Sequence, residues 1–171
     1  MRFLSLAVVF GGLLLASAVA RAQEEGGSEM LAGAGLVFGT ETDTLGLQGN
    51  FWMGLPQVKG LRLGGDLVIY LPFDRGDVDL FWLSINPGVQ YVFDIGGVPI
   101  RPYAEAGLAI AFVRASFPGG QSDSETELGI NLGGGVEYDA GFARIYGMLR
   151  YQILGDDADQ LELGGGLRWV F

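Results

Sequence analysis

The chain has 171 residues, of which 49% are hydrophobic and 30 are glycine, and it carries 20 acidic against 10 basic residues but no His and no Cys. Without His and Cys the chain lacks the commonest general base, thiol nucleophiles, disulfides and the usual zinc ligands, so most hydrolytic, redox and zinc chemistry is excluded and no cofactor or metal is expected. A net charge of −10 with one Lys, Lys59, disfavours nucleic acid as a partner, because its phosphates must be neutralised by cations.

The first 22 residues have the composition of a secretory signal peptide. Arg2 precedes an apolar stretch over residues 3–16, which grades into small residues and ends at Ala20-Arg21-Ala22. We therefore predict cleavage after Ala22 and export of the remaining chain. The alternative is an uncleaved anchor helix, but the apolar run is short against the roughly 20 residues of a membrane span. Residues 23–29, rich in Glu, are interpreted as a lead-in to the first strand.

After this lead-in the hydrophobicity alternates with period two, in runs of about ten residues separated by clusters of Gly, Pro and Asp. Seven such clusters, among them Pro56–Gly60 and Phe73–Asp77, divide the chain into eight predicted strands. We place the strands near residues 30–39, 45–55, 61–72, 80–93, 100–114, 126–139, 142–154 and 161–171. The sequence thus predicts an all-β protein, an eight-stranded antiparallel up-and-down barrel over residues 30–171.

Alternation alone does not decide whether the apolar face points inward, as in a soluble lipocalin-like barrel, or outward towards lipid. In the six clearest strands one face carries no charge and is bulky; in the last strand it reads Leu161, Leu163, Gly165, Leu167, Trp169 and Phe171. The lumen of an eight-stranded barrel is too narrow for that many large side chains. The bulky face is therefore predicted to point outward, into a membrane, with aromatic residues near both ends of the strands.

Three segments carry a resemblance to a known family. They are Pro102–Ala109, Gly129–Tyr138 and Leu161–Phe171, of which the last two are Gly-rich. They resemble the outer-membrane β-barrel domain family, which includes barrels like the OmpA transmembrane domain and OmpX. The resemblance implies a location in the bacterial outer membrane and contact with its lipid and lipopolysaccharide. It also implies that Leu167, Trp169 and Phe171 form a signal for the outer-membrane assembly machinery.

Charged residues on the opposite face of the strands are predicted to line the lumen. Five are basic and five acidic, which indicates a neutral network of Arg–carboxylate pairs. Arg101 and Glu105, which share the inward face of one strand, are predicted to pair. A structural polar core is the favoured interpretation, against a proton or ion path or an Asp66–Glu105 acid/base pair. The ten residues are Arg62, Asp66, Arg101, Glu105, Glu127, Glu137, Arg144, Arg150, Glu162 and Arg168.

The pattern of loops predicts both termini in the periplasm, with short turns near residues 56–60, 94–99 and 139–141. The four other connections would face outward and hold ten of the carboxylates, giving an acidic rim. We expect a monomeric, non-enzymatic barrel with a structural role in the cell envelope and at most slight pore activity. The alternatives are an adhesin or ligand-binding surface protein, and a small-solute channel.

Overall fold

The computed structural model describes residues 28–71, 73–75, 78–117, 121–155 and 159–171. The predicted signal peptide and most of the lead-in lie outside the described residues. The described residues form nine strands, and they contain no helix long and apolar enough to cross a membrane. The strands are β1 (Met30–Gly39), β2 (Thr44–Gly54), β3 (Leu61–Tyr70), β4 (Phe73–Arg75), β5 (Val78–Val92), β6 (Ile100–Ser116), β7 (Ser122–Asp139), β8 (Arg144–Ile153) and β9 (Gln160–Val170).

The strands form one closed antiparallel meander. Each long strand pairs with the next along the chain, and the barrel closes where β1 pairs with β9 in a register that sets Leu31 opposite Val170. The three-residue β4 continues β3, because both pair with successive parts of β5. With β3 and β4 counted as one interrupted strand, the described residues form a barrel of eight strands. The predicted eight-stranded up-and-down barrel is confirmed.

Two hairpins are longer than the alternation indicated. The cluster predicted as a turn at Phe73–Asp77 instead includes β4, so that Phe73 pairs with Leu80. Likewise β6 runs to Ser116 and β7 begins at Ser122 rather than near residue 126, with these two residues paired. In β7, residues 122–125 place exposed polar side chains on both faces of the strand, which erases the period-two pattern there. Backbone pairing continues nonetheless.

The barrel has two distinct ends. The end that holds Met30 and Val170 also holds the connections at residues 55–60, 93–99 and 140–143, and is called the terminal end here. At the opposite, distal end lie the connection at residues 40–43 and the strand ends on either side of the three other connections, at Arg75 and Val78, Ser116 and Ser122, and Ile153 and Gln160. At the terminal end Gly60 and Gly141, both at φ +84°, occupy the left-handed conformation that tight turns need.

Candidate functional site

The interior of the barrel is the chemically distinctive part of the molecule. Inward positions along β3, β5, β6, β7, β8 and β9 hold buried Arg, carboxylate and amide side chains, whereas outward positions of the same strands hold exposed Leu, Ile, Val and aromatic residues. This arrangement is the reverse of a soluble protein, in which charged residues are almost never fully buried. The face assignment predicted from the sequence is correct.

Near the terminal end four Arg side chains surround two carboxylates, a group called the terminal cluster here. Arg62 donates from Nη1 to Glu137 Oε1 at 2.8 Å and from Nη2 to Oε2 at 3.2 Å, which is a bidentate pair. Arg168 Nη1 donates to the same Oε1 at 2.6 Å. Glu137 itself is fully buried. The cluster consists of Glu29, Arg62, Arg101, Glu137, Arg144 and Arg168.

Glu29, which the sequence analysis placed in the lead-in, is the second carboxylate of this cluster. Its Oε2 accepts a hydrogen bond from Arg62 Nη2 at 3.0 Å, and its Oε1 accepts one from Arg144. Partial burial would raise the pKa of Glu29, but the hydrogen bond from Arg144 and the charges of the nearby Arg side chains outweigh it. Together they lower the pKa from 4.5 to about 2. Glu29 lies one residue before β1, where the alternation has not yet begun, so the sequence pattern could not place this carboxylate in the lumen.

Arg168 joins the terminal cluster to a layer of aromatic and amide side chains. Its guanidinium lies 4.1 Å from the ring centroid of Tyr146 and 5.3 Å from that of Tyr103. Its Nε donates to Asn50 Oδ1 at 3.0 Å, and Tyr146 Oη donates to Gln48 Oε1 at 2.6 Å. Glycine makes this packing possible, because a Cβ at Gly33 would come within 2.8 Å of Arg168 Cγ.

Farther from the terminal end a second group, the Arg150 cluster, has the opposite excess of charge. Arg150 Nη1 and Nη2 lie 2.5 Å and 3.0 Å from the two oxygens of Asp66. Its Nε donates to Glu162 Oε2 at 2.7 Å, and Glu105 Oε1 lies 3.7 Å from Nη1. One cation thus faces three carboxylates. Asn86 and Gln90 donate further hydrogen bonds to Asp66 and Glu105.

Towards the distal end, buried apolar and aromatic side chains fill the interior. Val37, Val68 and Tyr70 have no exposed surface, and Trp82 stands edge-on to Tyr70 with ring centroids 6.3 Å apart. Tyr70 Oη donates to Glu162, and Gln160 Nε2 donates to Tyr70 Oη at 2.8 Å. Packed aromatic rings of this kind leave little room for a water column.

Eight of the ten predicted lumen residues are buried and take part in the two clusters, and two differ from the expectation. Glu127 is half-buried beside Ala111 near the distal end, and it has no ion-pair partner among the described residues. Arg101 does not pair with Glu105. These two residues are four positions apart on β6, which separates them by about 13 Å along the strand. Arg101 instead lies opposite Glu137 of β7, at 3.6 Å, while Glu105 lies opposite Gln90 of β5.

The lumen is neutral overall but its charges are segregated. Within the described residues five Arg side chains meet five carboxylates, with Glu29 taking the place predicted for Glu127. The terminal cluster has four cations and two anions, and the Arg150 cluster has one cation and three anions. The terminal cluster therefore has an excess of two positive charges, and the Arg150 cluster has an excess of two negative charges.

The remaining predicted site residues lie on the outer surface. Leu167, Trp169 and Phe171 follow the outward face of β9, and the backbone N–H of Phe171 donates to Met30 O at 2.9 Å across the closing seam. Phe171 is 72% exposed, which is consistent with a side chain available to lipid or to a partner. No group of three or more metal-ligating side chains occurs within the described residues.

Comparison with solved structures identifies the fold. Neisserial surface protein A matches with a TM-score of 0.61 and 22% identity, over 84% of this chain and 96% of that one. The N-terminal β-barrel domain of Pseudomonas aeruginosa OprF matches at 0.58 and 21%, over 84% and 96%. Ail, the attachment invasion locus protein of Yersinia pestis, matches in its complex with the heparin analogue sucrose octasulfate at 0.57 and 17%, over 83% and 97%.

These similarities establish an eight-stranded barrel of the kind found in outer-membrane proteins, and the resemblance seen in the sequence is confirmed at the level of the fold. No protein-family model matches the sequence, and no curated protein matches it.

Proposed function

We propose that the protein is an integral barrel of the bacterial outer membrane with a non-enzymatic, structural role in the cell envelope. The observation that carries this proposal is the inverted distribution of side chains. An uninterrupted apolar surface such as Leu47, Leu67, Leu132, Leu149 and Leu163, each at least 40% exposed, would be insoluble in water but suits a lipid environment. The similarity to three outer-membrane barrels supports the same location.

The dimensions of the strands support a membrane position. Strands β1, β2, β3, β8 and β9 have 10 or 11 residues each. A strand of this length spans the apolar band of an outer membrane when it tilts by about 40°. The short turns lie at the same end as Met30 and Phe171, and we assign this end to the periplasm. Export would follow cleavage of the signal peptide after Ala22, and assembly would use the C-terminal aromatic residues as the family resemblance implies.

The interior supports a structural core rather than an enzyme or a constitutive pore. Without His the chain offers no Ser–His or Asp–His arrangement. Paired charges in the lumen and the rings of Tyr70 and Trp82 near its distal end fill the path that a solute would take. We therefore expect little or no steady conductance.

A surface-binding role is the second candidate, and the β6–β7 hairpin favours it. These strands have 17 and 18 residues. On the β8 side, β7 extends eight residues, roughly 25 Å, beyond its last pair with Ile153, while β5 stays paired with β6 up to Ser116. The exposed tip of the hairpin carries Arg114, Asp123 and Glu125. Ail was solved with a heparin analogue. The acidic distal rim of this chain would disfavour such a polyanion and favour a basic partner instead.

Membrane fractionation combined with heat-dependent gel mobility tests the leading proposal. The protein should sediment with outer membranes and migrate faster before boiling than after it, because a closed barrel resists unfolding by detergent. The mass of the mature chain should show cleavage after Ala22. Recovery of the protein in the soluble periplasmic fraction would contradict the membrane assignment, and stable single-channel currents in planar bilayers would contradict the closed lumen.

A further inference from the structure

The terminal end contains a cavity that the structural role does not use. It has a volume of about 510 Å³ and opens between the lead-in to β1 and the connections that precede β3 and β6. Glu29, Arg62 and Arg101 line its inner wall, and Lys59 and Asp94 stand at its rim. The two rim residues neutralise each other, since Lys59 Nζ donates to Asp94 Oδ2 at 2.8 Å.

The inner wall of the cavity has more hydrogen-bond donors than acceptors. Arg101 makes no hydrogen bond to any described residue, although Glu29 and Glu137 lie 3.8 Å and 3.6 Å from its Nη2. In the same cluster Arg144 Nε and Nη1 are buried without a hydrogen-bond acceptor among the described residues. Unsatisfied buried donors are costly, so this region favours an added acceptor.

The charges point to the same kind of ligand. Four Arg side chains against two carboxylates leave an excess of two positive charges beside the cavity. Glu29 already shows how these side chains hold a carboxylate, because two of them hydrogen-bond its oxygens. The guanidinium of Arg101, partly exposed and free of such bonds, can offer its planar fork to another anion.

We propose that this cavity binds a small anion, a carboxylate or phosphate group, with Arg101 as its principal donor and Arg62 and Arg144 supplying the positive field. The shared chemistry is a compact oxyanion that accepts two parallel hydrogen bonds. At the terminal end such a group would come from the periplasmic side, either as free inorganic phosphate or as the carboxylate of a peptide. The site differs from the Arg150 cluster, which is acidic and enclosed.

Titration of the refolded barrel tests the proposal directly. Protein labelled with ¹⁵N-arginine would be refolded in a maltoside detergent, which carries no phosphate, and titrated with inorganic phosphate or N-acetylalanine at constant ionic strength set with chloride. The Nε–Hε signal of Arg101 should shift and saturate, while that of Arg114, at the other end of β6, should stay in place. The tighter of the two probes identifies the source of the anion.

Variants separate a site from general charge attraction. Arg101→Gln should weaken binding about tenfold or more, because it removes the fork of donors. Arg101→Lys should retain weaker binding, and Arg114→Gln, the matched control on the same strand, should bind like the wild type. Glu29→Gln should bind more tightly, since one competing negative charge is lost. Heat-dependent gel mobility would verify that each variant has folded.

Several outcomes would overturn the proposal. No saturable shift of Arg101 with either probe would do so, as would an equal loss of binding in the Arg101→Gln and Arg114→Gln variants. A response that appears only after Glu24 and Glu25 are both changed to Gln would assign the cavity to the chain's own amino-terminal segment rather than to an external anion.

Discussion

Arg150 and Asp66 form a bidentate ion pair inside the barrel, with guanidinium nitrogens 2.5 Å and 3.0 Å from the two carboxylate oxygens and with at most 3% of either side chain exposed. Their strands, β8 and β3, are not neighbours in the barrel. The pair therefore crosses the lumen and ties two opposite walls together. Buried pairs of this kind contribute little against an apolar replacement, but loss of one partner is severe because the other charge is left uncompensated.

The Arg150→Gln variant should be strongly destabilised, by about 3–5 kcal/mol, because Asp66, Glu105 and Glu162 then lose their shared cation. Adding Asp66→Asn to that variant should recover part of the loss, giving a clear coupling energy in a double-mutant cycle. Urea unfolding of the barrel in lipid vesicles would measure it. The exposed Arg114→Gln variant is the control, and additive effects of the two lumen changes would contradict the pairing.

The pairing of Arg101 gives a second prediction. Arg101→Gln should couple with Glu137→Gln, its neighbour across the β6–β7 ladder, and should show no coupling with Glu105→Gln. We expect about 1 kcal/mol or less for the first pair, because Arg101 is partly exposed and Glu137 keeps Arg62 and Arg168. Unfolding of the single and double variants would test this. Coupling to Glu105 instead would show that the lumen is arranged differently.

The sequence predicts the walls and faces of the barrel because period-two alternation reports directly on which side of a strand is apolar. Alternation assigned Arg62, Arg144, Arg150 and Arg168 to the inward face, and the structure has these four side chains buried. Alternation contains no information about strand tilt or about the offset between walls. Consequently it could not show that Arg62 of β3 meets Glu137 of β7, 75 positions away along the chain.

The period-two alternation could not predict two further features of the lumen. Glu29 precedes the first strand, so no periodicity placed its carboxylate among the Arg side chains. Glu127 does lie on the inward face, but near the distal end, where Ala109 and Ala111 line the opposite strand and no cation is close within the described residues. The sequence therefore predicts on which face of a strand a residue lies, but it does not predict the position of that residue along the barrel axis.

Acid should weaken the barrel partly through Glu29. Its pKa lies lower in the folded protein, about 2, than the ordinary value of 4.5, so the ionised form favours folding. That contribution is fully present above about pH 4.5 and declines as the pH falls towards 2. The wild type should therefore lose more stability over this range than Glu29→Gln does. Equal pH dependence of the two proteins would contradict the role of Glu29, and Glu125→Gln, an exposed change at the distal end, is the control.

The outward face gives a prediction about lipid. Leu67 lies on the exposed face of β3 near mid-strand, and replacing it with Arg should cost on the order of 2–4 kcal/mol in a bilayer. Ser122→Arg, at the exposed distal start of β7, should be nearly neutral because that position lies beyond the apolar surface. Refolding into vesicles of phosphatidylcholine would compare them. Equal tolerance at the two positions would contradict the membrane assignment.

The seam between β1 and β9 carries the last prediction. Phe171 combines a backbone hydrogen bond to Met30 with an outward, highly exposed ring, and Trp169 lies on the same face opposite Ala32. A Phe171→Ser change keeps the backbone pairing, so it should leave spontaneous folding of the purified protein in detergent nearly unchanged. The resemblance to outer-membrane barrels implies that the assembly machinery recognises the aromatic ring of Phe171. If it does, insertion of the Phe171→Ser variant in cells should fall several-fold.

The comparison of the two assays is what makes this last test decisive. Folding in detergent needs only the apolar face and the closing ladder, whereas folding in cells would also need recognition of the ring. Leu163→Ser, on the same outward row of β9 but near its distal end, serves as the matched control for lost apolar surface. A similar loss of cellular insertion in both variants would attribute the effect to hydrophobicity alone, and unchanged insertion of Phe171→Ser would refute the assembly role.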